Sequence, residues 1–258
     1  MRNLKIKLLS ILMMLALMSS LTGSASEKTQ KGYIDITADV ARGLMTFEET
    51  SPGVKMLRGV IIINVSPLYT KYHIPGSRLY PLEDGMLDAA LPSFDPALIY
   101  LVYGQSNSAS MEGAGKLADA GFEKVFRLKD NLSAWKRAGY PVVSYNHGKP
   151  IYPAADYADA TPEIAKALLD FLSDLLIIDV SSKSSQGHIP SAISYSADDG
   201  TLDAIIPTLD PAKKYLVYGH SDKESKTGAK KLIKAGFESV FRLKGNFSAW
   251  ADAGYPIE

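Results

Sequence analysis

Apolar, largely β-branched residues run through positions 60–65 and 175–180, broken only by Asn64 and Asp179, and again through 99–103 and, after Lys214, 215–218. Runs of this length without polar alternation predict strands buried on both faces, the pattern of a parallel sheet. Shorter strands are expected at 124–128 and 239–243. The stretches between them read as helices with recognisable ends. Thr161 followed by Pro162 predicts an N-cap with proline at the first helical position, and Gly121, Gly139, Gly236 and Gly254 stand where helices end. Strands alternating with helices predict an α/β fold, a mainly parallel sheet flanked by helices.

The pattern occurs twice. Gly121-Phe122-Glu123 and Val125-Phe126-Arg127-Leu128-Lys129 return as Gly236-Phe237-Glu238 and Val240-Phe241-Arg242-Leu243-Lys244, an offset of 236 − 121 = 115. The same offset relates His73-Ile74-Pro75 to His188-Ile189-Pro190, Leu101-Val102-Tyr103-Gly104 to Leu216-Val217-Tyr218-Gly219, and Ser133-Ala134-Trp135 to Ser248-Ala249-Trp250. About half the positions across this stretch are identical. A period this long is a whole small domain duplicated in tandem, not a solenoid unit. The expected layout is a first domain over 33–143, a linker over 144–154 carrying Gly148, Pro150 and Pro153, and a second domain over 155–258, each copy folding around its own core. The first copy has about nine extra residues around Glu49 to Leu57, with a Ser51-Pro52-Gly53 turn signal, and these read as a surface insertion.

Charge and composition then narrow the function. Lys plus Arg equals Asp plus Glu at 28 each, so no global field draws the chain to nucleic acid. Arg2, Lys5 and Lys7 precede an apolar run at 8–18 and a small-residue stretch at 19–26, the anatomy of a secretory signal peptide over 1–26. Its apolar part is short of the roughly 20 residues a membrane span needs. Export to a periplasm or the extracellular space is therefore expected, without stable membrane insertion after cleavage. Removing three cations from 28 leaves 25 against 28 acids, a formal charge of −3. The chain has no cysteine, which rules out disulfides, a lipid-modified cysteine and thiol chemistry.

These residues resemble the rhodanese-like domains. The resemblance rests on a strand ending Asp179-Val180 (Asn64-Val65 in the first copy), a His-Ile-Pro turn, and a Leu-Val-Tyr strand leading to a loop. The Gly-Phe, Val-Phe-Arg-Leu, Trp and Gly-Tyr-Pro elements then follow in order, twice. It implies two tandem rhodanese-like domains. In active members the loop after the Leu-Val-Tyr strand resembles Cys-x-x-Gly-x-Arg-Ser, where a cysteine ringed by backbone amides at a helix start holds a persulfide. Carried onto this chain, the first loop is Gly104, Gln105, Ser106, Asn107, Ser108, Ala109 and Ser110, and the second is Gly219, His220, Ser221, Asp222, Lys223, Glu224 and Ser225. The cysteine position holds Gly104 and Gly219, the arginine position Ala109 and Glu224, and only the serine survives. No catalytic residue is expected, and both loops are degenerate.

The leading reading is an exported, non-enzymatic binding or scaffold module whose partner is a protein or a small anion, with anion affinity stronger at the uncharged first loop. An enzyme of another kind, using Ser106, Ser110, Ser221 or Ser225, is the alternative. No metal and no cofactor are expected. His73 and His188 read as turn histidines, with His220 a solvated loop residue. The acidic pieces around Asp84-Gly85 and Asp199-Gly200 read as turns before helix caps, and Gly113-Ala114-Gly115 as close helix packing. Trp135 and Trp250 read as core anchors, while Tyr103 and Tyr218 stand as candidates for a pocket rim.

Overall fold

The computed structural model describes residues 32–51, 54–67, 71–144, 156–182 and 187–258. The signal-like segment 1–26 lies outside the described residues, as does the expected linker beyond Ser144. The first copy runs β1 (Ile34–Ile36), α1 (Ala38–Leu44), β2 (Thr46–Ser51), β3 (Val54–Arg58), β4 (Val60–Asn64), β5 (Tyr72–His73) and β6 (Arg78–Leu79). It continues through α2 (Met86–Ala90), β7 (Ile99–Tyr103), α3 (Asn107–Asp119), β8 (Val125–Leu128), α4 (Asn131–Arg137) and β9 (Val143–Ser144). The second runs β10 (Ala158–Ala160), α5 (Pro162–Phe171), β11 (Leu175–Asp179), β12 (Ile193–Ser194), α6 (Thr201–Ile205), β13 (Lys214–Tyr218), α7 (Asp222–Lys234), β14 (Val240–Leu243) and α8 (Asn246–Asp252).

Each copy builds a five-stranded sheet, ordered β1-β8-β7-β4-β6 and β10-β14-β13-β11-β12, with every pairing parallel. Central strands β7 and β13 are buried throughout, as the apolar runs at 99–103 and 215–218 require, and the burial extends to Lys214 at the start of β13. Thr161 caps α5 by accepting from the Ile164 amide, with Pro162 behind it, as the sequence predicts. Gly121 and Gly236 follow α3 and α7 with φ of +89° and +94°, a conformation that favours glycine.

The short edge strands β1 and β10 carry too little apolar length to be read from sequence. Ile34 pairs with Phe126 and Ala158 with Phe241, so the copies are offset by 158 − 34 = 124 here and by 241 − 126 = 115 further on. The difference of nine residues falls between α1 and β4. It is not an irregular insertion: β2 and β3 pair antiparallel, with Thr46 opposite Arg58.

The expectation of one core per copy is corrected. Two outer cores are separate, one around Ile63, Val65, Val102 and Leu117 and the other around Ile178, Val180, Val217 and Leu232. The inner faces of both sheets share a third, continuous core. Helix α1 of the first copy packs on β10 and β14 of the second, and α5 packs on β1 of the first. Gly43 permits the approach, since a Cβ there would lie 2.8 Å from Cε1 of Phe241. Phe171 meets Phe126 edge to face at 5.4 Å. Among the described residues no helix is long and apolar enough to cross a membrane.

Candidate functional site

The turns after β7 and β13 leave the C-terminal edge of each parallel sheet, where such folds collect their functional groups. Each seven-residue loop read from sequence is a three-residue turn followed by helix. Gly104, Gln105 and Ser106 make the first turn, and Asn107, Ser108, Ala109 and Ser110 open α3. Gly219, His220 and Ser221 make the second, and Asp222, Lys223, Glu224 and Ser225 open α7. The cause is capping. Ser106 Oγ accepts from the Ala109 amide at 3.1 Å, and Ser221 Oγ accepts from the Glu224 amide at 3.3 Å.

Beneath each turn lies a buried arginine that sequence reasoning passed over. Arg127 donates through Nε and Nη2 to both oxygens of Asp35, at 2.6 and 2.7 Å, and through Nη1 to Asn107 Oδ1 at 2.9 Å and Ser110 Oγ at 3.2 Å. Arg242 repeats this with Asp159 at 2.6 and 2.7 Å, Asp222 Oδ1 at 2.8 Å and Ser225 Oγ at 3.4 Å. The site therefore retains a cation, contrary to the expectation from Ala109 and Glu224, but the sheet supplies it and carboxylates neutralise it. The signal was present: Asp35-Ile36-Thr37 and Asp159-Ala160-Thr161 repeat, and each arginine is a lone charge in an apolar strand.

An asparagine ties each turn to this network. Asn131 and Asn246 sit at φ of +58° and +62°, a left-handed conformation that asparagine tolerates better than most residues. Asn131 Nδ2 donates to Asn107 Oδ1 at 3.1 Å while its Oδ1 accepts from the Gly104 amide at 3.0 Å. Asn246 Nδ2 donates to Asp222 Oδ1 at 3.0 Å. Side-chain hydrogen bonds from Lys226, Arg242 and Asn246 hold the Asp222 carboxyl down at about 2.

Glu224 stands at the position where the resemblance implies an arginine. Its Oε2 accepts from the His220 amide at 3.2 Å and the Ser221 hydroxyl at 2.8 Å, and its Oε1 from the Ser182 amide at 3.3 Å. Ser221 and Glu224 thus form the Ser-x-x-Glu pattern of a capping box, a signal legible in the sequence. Burial pushes Glu224 up, but the hydroxyl and amide donors outweigh it and hold the carboxyl below its ordinary range. A folded pKa below the unfolded value, about 4.3, gives stability that is complete above the unfolded pKa and lost as pH falls through the folded one. Glu224→Gln is accordingly expected to lower Tm at pH 7 and to leave it nearly unchanged at pH 2. A gap of equal size at both pH values, in paired thermal melts, would assign the effect to packing and not to charge.

A side chain at either turn glycine would sit tightly. A Cβ on Gly104 would lie 3.2 Å from Val65 Cγ2, and one on Gly219 would lie 3.0 Å from Glu224 Cβ. The serines are also engaged: Ser110 and Ser225 are buried against arginine, while Ser106 and Ser221 cap helices. Ser221 alone of the four donates to a carboxylate, Glu224 Oε2 at 2.8 Å, and the same hydroxyl is held as the acceptor of the Glu224 amide.

The remaining candidates are structural. His73 pairs with Val143 across β5 and β9, and His188 exchanges backbone hydrogen bonds with Glu258 at 2.8 and 2.9 Å. Trp135 and Trp250 are buried, each donating through Nε1 to a proline carbonyl at 2.8 Å. Tyr103 and Tyr218 do not line a rim; both are buried, and their hydroxyls accept from the amides of Ile74 and Ile189 at 3.0 Å. Gly85 and Gly200 are themselves the cap residues of α2 and α6, and the acids beyond them bind lysines, Asp88 with Lys116 and Asp203 with Lys231. Gly113 packs close, a Cβ there lying 2.8 Å from Val65 Cγ1. His220 lies against Phe247, with ring centres 5.2 Å apart, and is not the solvated residue expected.

The profile of the Rhodanese-like domain matches this chain twice, over residues 56–138 and 161–253. The solution structure of a rhodanese-like domain from Anabaena is 30% identical, covering 39% of this chain and 77% of that one, with a TM-score of 0.36. Thiosulfate sulfurtransferase from Pseudomonas aeruginosa is 18% identical, covering 87% of this chain and 43% of that one, with a TM-score of 0.34. A rhodanese-related protein from Thermoplasma volcanium is 20% identical, covering 40% and 98%, with a TM-score of 0.35. With the family profile spanning both copies, the chain belongs to the rhodanese-like family, as a tandem pair that carries no cysteine.

Proposed function

We propose that this protein acts outside the cytoplasm as a non-catalytic binding or scaffold module, holding a partner protein or a small ligand. The observation that carries the reading is the use of the turn for helix capping where a thiolate is absent. Ser106 in the first copy accepts from the Ala109 amide, and Ser221 and Glu224 in the second accept from the Glu224 and His220 amides, so these amides are not free to hold an anion. Function then resides in surfaces and pockets of a retained fold. Export is supported by the basic, apolar and small-residue zones of residues 1–26.

The test is thiosulfate-to-cyanide sulfur transfer by the chain lacking residues 1–26, beside a Gly219→Cys, Glu224→Arg double variant. Both changes are needed because a thiolate at position 219 would face the Glu224 carboxylate, whose Oε2 would lie 3.4 Å from the added Cβ, where an arginine would supply a cation instead. The natural chain is expected to form no thiocyanate above background. The double variant is expected to exceed it at least roughly tenfold if a restored thiolate finds its cation. Turnover by the natural chain, free of contaminating enzyme, would overturn the reading.

A further inference from the structure

Helix α7 carries a row of lysines that α3 lacks. Lys223, Lys226, Lys230 and Lys234 recur at i, i+3, i+7 and i+11, the spacing of one helix face, and all four are exposed. At about 1.5 Å per residue the row is about 16 Å long, with one charge about every 4.5–6 Å. On the other side of the helix, Ser225, Gly228, Ala229 and Leu232 are buried, where α7 packs on β13 and β14. The matching positions of α3 are Ser108, Met111, Gly115 and Asp119, so the fold does not require the row.

Neither helix stability nor overall charge accounts for it. Lys223 lies in the first turn, where the helix dipole disfavours a cation. Lys226 and Lys230, and again Lys230 and Lys234, are like charges four residues apart, which weaken a helix. Residues 155–258 hold 11 Lys and Arg against 15 Asp and Glu, so the row is a basic strip on an acidic copy. Counter-charges reach only its margin: Lys226 meets Asp222 at 3.0 Å, and Lys231, off the row, meets Asp203 of α6 at 2.6 Å. Lys223, Lys230 and Lys234 have no ion-pair partner among the described residues.

A line of cations, three of them unanswered, suits a partner whose anions also repeat along a line. Lysine presents a compact point charge without the planar fork with which arginine grips a carboxylate, and it is a common phosphate binder. A lipid surface fits less well, because the cations form a single row and α7 bears no exposed large apolar side chain to enter a bilayer. Single-stranded nucleic acid fits less well too, since α7 has no aromatic side chain on which a base could stack.

We propose that α7 is a docking strip for a linear phosphodiester polymer without bases, poly(glycerol phosphate) in its simplest form, whose phosphates lie along Lys223, Lys226, Lys230 and Lys234. The first copy, with no cation at the matching positions of α3, does not share it. The inference rests on the binding-module reading and names a partner class for it.

The probe is poly(glycerol phosphate), titrated calorimetrically into the chain lacking residues 1–26 at several salt concentrations. Monomeric glycerol phosphate, oligothymidylate and phosphatidylglycerol vesicles, at equal phosphate, are the comparisons. The polymer is expected to bind, with the logarithm of its affinity falling against the logarithm of salt concentration at a slope of about −2, roughly 0.7 for each of the three unpaired lysines. The monomer is expected to show no saturable binding. Lys223→Gln, Lys230→Gln and Lys234→Gln together should weaken polymer binding at least roughly tenfold and flatten the slope, while glutamine keeps the helix propensity of lysine. Undiminished binding by the folded triple variant would overturn the proposal. So would equal affinity per phosphate for polymer and monomer, or tighter binding of the oligonucleotide or the vesicles, in the natural chain, whether or not the variant folds. Any of these failures would leave the non-catalytic reading standing, because sulfur transfer tests that separately.

Discussion

Replacing Asp35 by Ala is expected to cost about 2–3 kcal/mol, and replacing Asp159 by Ala distinctly less. Removing one partner of a buried ion pair typically costs about 3–5 kcal/mol, because the other charge stays buried and unanswered. Arg127 is that charge in the first copy, 5% exposed, while Asp35 is 32% exposed, which places the loss at or below the low end of that range. Without Asp35, the guanidinium keeps only the neutral oxygens of Asn107 and Ser110. In the second copy Asp159 is more exposed, at 43%, and Arg242 retains Asp222 at 2.8 Å. About 1–2 kcal/mol is expected there. Burial disfavours the Arg127 charge, and the hydrogen-bonded Asp35 more than compensates, leaving its pKa raised. Denaturant unfolding of both variants measures the difference. Equal losses would mean that Asp222 does not share the load.

Cutting the chain after Ser144 is expected to leave neither half with a cooperative unfolding transition, and mixing the halves is expected to restore one. Separation would uncover the face of α1 built from Val40, Ala41 and Leu44, the β10 and β14 surface beneath it, and Phe126 beneath Phe171. A large apolar side chain is worth about 1.5–3 kcal/mol when fully buried. Partial re-exposure of half a dozen of them removes on the order of 5 kcal/mol, comparable with the roughly 5–15 kcal/mol total stability of ordinary proteins. Circular dichroism melts of residues 27–144 and 145–258, alone and mixed, decide the matter. Full native melting by either half alone would show that the shared core is dispensable.

The sequence by itself determined the duplication, the parallel α/β architecture and the loss of thiol chemistry. These rest on local pattern: runs dominated by apolar residues for β4, β7, β11 and β13, Thr161-Pro162 at the start of α5, and the residues at two aligned loop positions. The edge strands β1 and β10 were not legible, because three residues carry too little periodicity and become strands only by pairing with β8 and β14. The capping boundary at Ser221 was written in the chain as Ser-x-x-Glu, and the extra nine residues gave a turn signal without showing that they pair as a hairpin.

Tertiary structure alone decided two things. It set Asp35 against Arg127 across 92 positions of sequence and merged the two inner cores into one. Each depends on which distant segments meet. Local preferences fix strands, helices and caps within a few residues, whereas the burial of a charge, or its lack of a partner, is a property of the packed chain and of no segment within it.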